Sequence, residues 1–96
     1  MKISPIEVQK ILKTHGIKIG FLKAKVIAYI ARNGKTKATD LDKALQFSAW
    51  RRANDLKHKE LLMVEEIEKP STFLATERFY YNLSPFLISA LKQGKY

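Results

Sequence analysis

The chain contains no cysteine. That excludes disulfide frameworks, thiolate zinc sites and cysteine nucleophiles. Glycine and proline are also scarce, 4 and 3 residues. They stand singly, as punctuation between elements, and form neither a flexible linker nor a phosphate-cradling loop. No apolar run approaches the roughly 20 residues needed to cross a bilayer, and the first residues do not resemble a signal peptide. No internal repeat divides the 96 residues. Acids are scarce too: 9 Asp plus Glu stand against 18 Lys plus Arg, a net charge of +9.

What is present is one basic, foldable chain. Hydrophobic residues make up 46%, enough for a core. A chain of this size buries about 60–68% of its unfolded surface, which leaves little surplus and makes dimerisation a natural supplement. The charge is lopsided. Residues 1–39 hold nine Lys or Arg and a single acid, Glu7, while four acids crowd between Glu60 and Glu68. Charge alone admits an anionic membrane or an acidic protein as partner, but favours nucleic acid.

The order of elements follows from capping and period. Ser4-Pro5-Ile6-Glu7 joins an N-cap serine, a first-turn proline and a capping-box glutamate, and Gly16 is a stop for the helix so begun. A second helix is predicted over Phe21–Asn33, ended by Gly34 and apolar around much of its circumference. Lys35 to Ala38 reads as an extended bridge. Thr39 or Asp40 can cap a short third helix carrying Leu41, Ala44 and Leu45. Gln46-Phe47 makes a turn, and Ser48 caps a fourth helix over Ala49–Glu60. Then the period changes. Leu61–Lys69 and Arg78–Leu83 read as two strands of a hairpin with a long loop over 70–77, and Ser84-Pro85 starts a last helix.

That succession, mainly α with a small β-hairpin wing, resembles the winged helix-turn-helix of the MarR, ArsR and PadR-like regulators of bacteria and archaea. The resemblance covers roughly residues 21–91. It rests on the tract from Asp40 to Ser48, on Leu56-Lys57-His58-Lys59-Glu60-Leu61-Leu62, and on Phe79-Tyr80-Tyr81-Asn82-Leu83-Ser84. It implies one winged-helix domain over 1–96: an N-terminal helix in 1–20, a core in 21–83 and a C-terminal helix in 84–96. One departure is Glu60, which stands where the family often has glycine at the end of the recognition helix.

The resemblance makes the fourth helix the recognition helix, and a helical wheel supplies its candidates. Ala49, Ala53 and Leu56 share one narrow face. Arg51, Asn54 and His58 lie opposite, with Asp55 beside them and Trp50 and Arg52 on the flanks. Arg and Asn can pair bidentately with guanine and adenine, each worth roughly 1–3 kcal/mol of discrimination. Trp50 is expected at the edge of the core beside Leu56 or Phe47, with a thymine methyl or sugar as its alternative contact. Ser48, Lys35, Thr36 and Lys37 are candidate phosphate contacts near helix starts. Lys69, Thr72 and Arg78, with Ser71, are candidates on the wing. Phe73 and Leu74 at its tip are expected to pack, and Glu65, Glu66, Glu68 and Glu77 to lie remote from phosphate. Ile6, Val8, Ile11 and Leu12, with Phe86, Leu87 and Leu91, form a candidate dimer surface.

The expectation is a dimeric, sequence-specific binder of double-stranded DNA, a transcription regulator of the cytoplasm associated with the nucleoid. It has no membrane partner, no catalytic residue, no metal and no cofactor. His15 and His58 lack metal-ligand spacing, and no nucleophile motif is present. Two other readings stay open: a DNA-coating or partition protein that spreads into a higher-order assembly on DNA, and a winged-helix module for protein interaction.

Overall fold

The computed structural model describes residues 2–46, 49–66 and 79–93. In chain order the elements are α1 (Pro5–Thr14), α2 (Phe21–Asn33), β1 (Thr36–Lys37), α3 (Ala38–Leu45), α4 (Ala49–His58), β2 (Leu62–Glu66), β3 (Phe79–Leu83) and α5 (Pro85–Gln93).

Two helices begin as their caps dictate. Ser4 accepts a hydrogen bond from the Glu7 amide at 3.2 Å, and its hydroxyl donates to Glu7 Oε1 at 3.0 Å. Ser84 Oγ accepts from the Leu87 amide at 3.2 Å in the same way, with Pro85 opening α5. Each serine satisfies an amide that the first turn leaves without a carbonyl. α3 departs from expectation. It starts at Ala38, with Lys37 in the cap position, and not after Thr39 or Asp40. α4 ends at His58, short of Glu60.

The bridge before α3 becomes a third strand. β1 pairs antiparallel with β3, which also pairs with β2, so the sheet order is β1-β3-β2. The registers Thr36↔Tyr81 and Lys37↔Tyr80 set which way each residue faces. Thr36 shares the inner face with Tyr81 and is buried, while Lys37 shares the outer face with Tyr80. β2 continues the pattern through Leu62↔Leu83 and Glu65↔Tyr80. On the inner face Leu62 and Leu83 are buried. Tyr81 beside them is half-buried, and desolvation pushes its phenol above the ordinary value of 10.0.

One core joins every helix to the sheet. Val8 and Leu12 of α1, Ile27 and Ile30 of α2, Leu41 of α3, Leu56 of α4, Leu61 before β2, and Leu87 and Leu91 of α5 are all essentially without solvent contact. Burying each side chain of this size contributes about 1.5–3 kcal/mol. This corrects the candidate dimer surface. Val8, Ile11, Leu12, Leu87 and Leu91 are buried within the chain, because α1 packs between α2 and α5. Of that set only Ile6 and Phe86 keep large exposed areas, 56% and 47%.

Candidate nucleic-acid interface

α4 is built to expose one side. Ala49, Ala53 and Leu56 have no exposed surface, and the helix rests by that face on α2 and α3. Two alanines at the contact let the backbone approach closely. On the far side Arg51, Asp55 and His58, at helical spacings of four and three, are all exposed. Asn54, expected at the centre of that face, is half-buried on its flank, as are Arg52 and Lys57. The wheel therefore identifies the inner face correctly, but the outward strip runs through Asp55 more than through Asn54.

The start of α4 is held from α3. The Trp50 amide donates to Asp42 Oδ1 at 3.0 Å, so a carboxylate of α3 satisfies one amide at the α4 N-terminus. Sequence reasoning did not single out Asp42. Its signal is an acid eight residues before the second residue of the next helix, which becomes visible only when the turn is known. That turn passes through Gln46, whose φ of 57° is left-handed and ends α3. Trp50 itself is 38% exposed and corrects the expectation of a core-edge residue. The Arg51 guanidinium lies 5.5 Å from its ring centroid, so the indole forms a shelf beside the cation. On the other flank Lys23 of α2 approaches Asp55 Oδ2 at 3.7 Å.

A second basic cluster occupies the outer face of the sheet. The Lys35 and Lys37 ammonium groups lie 5.1 and 6.0 Å from the Tyr80 ring centroid. Lys35 also pairs with Glu65 at 3.4 Å. Glu65 therefore shares a face with a candidate phosphate lysine and is not remote from it. Thr36 is removed from the candidate contacts. It points inward, and its hydroxyl donates to the Gly34 carbonyl at 2.8 Å. Ser48, Lys69, Ser71, Thr72, Phe73, Leu74, Glu68, Glu77 and Arg78 lie outside the described residues.

Glu60 has a φ of 61°, the left-handed region that favours glycine. The backbone thus makes a glycine-type turn at the position where the sequence departs from the resembled pattern, with a glutamate in place. Among the described residues no group of three His, Asp or Glu side chains could hold a metal ion, and no helix is long and apolar enough to cross a membrane.

No family model and no curated protein matches the sequence. Solved structures do match in three dimensions. Staphylococcus aureus MarR in complex with salicylate and kanamycin superposes with a TM-score of 0.65 at 16% identity, over 92% of this chain and 56% of that one. A mutant of S. aureus MepR bound to an oligodeoxyribonucleotide gives 0.63 at 17% identity, over 94% of this chain and 64% of that one. MepR described as a transcription regulator of the multidrug efflux pump MepA gives 0.56 at 17% identity, over 95% and 64%. The chain thus spans between 56% and 64% of the length of these neighbours. With helix-turn-helix and three-stranded sheet in the order described above, its fold is a MarR-like winged helix.

Proposed function

We propose that the chain binds double-stranded DNA as a transcription regulator, with α4 in the major groove. The observation that carries this reading is the division of α4 into a sealed Ala49, Ala53 and Leu56 face and an exposed face of Arg51, Asp55 and His58, on a chain of net charge +9. The oligonucleotide bound to the similarly folded MepR mutant supports it. Affinity comes chiefly from lysine and arginine on phosphate. Lys35 and Lys37 sit where a backbone strand passing the sheet would meet them. Specificity comes from Arg51 on a guanine edge, its guanidinium braced by Trp50.

The unit that binds is proposed to be a homodimer. The exposed apolar side chains favour one end of the molecule as its contact. α1 and α2 pack together, so the residues that follow α1 and those that open α2 share one end; Phe86 meets His15 just past α1 edge-on at 5.7 Å, and Phe21 and Leu22 at the start of α2 are exposed. A two-fold pair reads a palindrome with half-sites about 34 Å apart.

The test is a titration of duplex selected from a random pool, against unselected duplex, over a salt series. Log affinity is expected to fall linearly with log salt, at about −0.9 per phosphate contact. Arg51→Ala is expected to cost about tenfold or more on selected duplex and much less on unselected duplex. Equal losses on both remove base reading by Arg51, and a flat salt response removes DNA as the partner.

A further inference from the structure

We infer that Asp55 is a specificity-determining residue of α4, reading a cytosine one helical turn from the guanine read by Arg51. This rests on α4 being the groove-reading helix. Asp55 is the only acid in Ala49–His58. A carboxylate on a phosphate-facing surface repels every duplex alike, so it lowers general affinity unless some base repays it. Its position suits a base. The side chain is 59% exposed, on the same outward strip as Arg51 and His58. Residues four apart on a helix are separated by about 6 Å along its axis, close to two base-pair steps.

The chemistry then selects the base. An ionised carboxylate only accepts hydrogen bonds. In the major groove cytosine offers the N4 amino donor without an acceptor of its own beside it. Adenine pairs its N6 donor with the N7 acceptor, guanine shows only O6 and N7, and thymine shows O4 and a methyl group. Asp55 is therefore matched to cytosine and mismatched to the other three. Lys23 completes the arrangement. At 3.7 Å from Oδ2 it offsets the carboxylate before a base is engaged, and with Lys23 half-buried and Asp55 exposed, a contact of that length is weak enough to be exchanged for a hydrogen bond to DNA.

The test is selection from a randomised duplex pool with the wild type, Asp55→Ala and Asp55→Asn, followed by competition with duplexes changed at single positions. The wild type is expected to require cytosine at one position, with a loss of about tenfold on substitution. Asp55→Ala is expected to lose that requirement alone and keep the rest of the site. Asp55→Asn is expected to move the preference to adenine, because an amide both donates and accepts. Thermal melting checks that both variants fold as the wild type does, as the exposed side chain predicts. A wild-type consensus that no change at residue 55 alters, with affinity rising equally on all sequences, reduces Asp55 to a charge and overturns the inference while leaving the DNA-binding reading intact. A wild type that selects no sequence overturns base reading by α4 altogether, Arg51 included, and the salt series then decides DNA binding itself.

Discussion

Glu60 carries a cost that its side chain does nothing to offset through any hydrogen bond or ion pair among the described residues. A left-handed backbone costs an L-residue roughly 1–2 kcal/mol, because Cβ crowds the following carbonyl. Glycine avoids that crowding but loses about 0.4–1 kcal/mol through the greater freedom of its unfolded chain. The first effect is the larger. Glu60→Gly is therefore expected to stabilise the fold by up to about 1 kcal/mol, a rise of several degrees in melting temperature for a chain of this size. Glu60→Val, β-branched and intolerant of positive φ, is expected to melt below the wild type. Thermal melts of the two variants check this, and a Gly variant that melts well below wild type contradicts the account. The same geometry at Gln46 shows that both ends of the helix-turn-helix, the turn into α4 and the exit from it, are made by non-glycine residues in a glycine conformation.

At the scale of elements, the helix-turn-helix depends on how close α4 can sit to α2 and α3. Ala53 has no exposed surface, so there is no room for a larger side chain at that contact. Ala53→Leu is expected to destabilise by about 1–3 kcal/mol through overpacking. Leu56→Ala, which opens a cavity in the same interface, is expected to cost about 2–5 kcal/mol. Denaturant titration measures both, and an Ala53→Leu chain as stable as the wild type means α4 does not rest on that face. This inner face was legible in the sequence because it repeats at helical period, and α1 and α5 were legible because serine-proline starts are local signals. β1 was not. Two residues have no period, and only pairing with β3 decides that Thr36 turns inward and Lys37 outward. The α1 and α5 stripes were legible as apolar but not as buried. Whether such a stripe meets its own chain or another depends on how α1 packs between α2 and α5, which no local pattern carries. Trp50 and Asn54 departed from expectation for the same reason: their exposure depends on the angle at which α4 crosses its neighbours.

At the scale of the whole molecule, the core uses most of the apolar side chains among the described residues and leaves a few outside it. Phe86 is 47%, Phe21 46% and Leu22 37% exposed, and the Lys25 ammonium lies 5.3 Å from the Phe21 ring centroid. Large aromatic side chains dominate interface energetics where they are buried, each covering about 150–250 Å². In the proposed homodimer, covering them would add to the small buried core of a chain this size. The double variant Phe86→Asp, Phe21→Asp separates assembly from folding, since neither ring belongs to the buried core. It is expected to sediment as a monomer and to keep a melting temperature near that of a monomeric wild type. It is also expected to bind a single half-site as the wild type does, while losing the added affinity of a two-half-site palindrome. Were the double variant still dimeric, the contact would lie elsewhere on the surface. Were the wild type a monomer at micromolar concentration, the palindrome would have no two-fold partner, and recognition would rest on one copy of α4 with Arg51 and Asp55 alone.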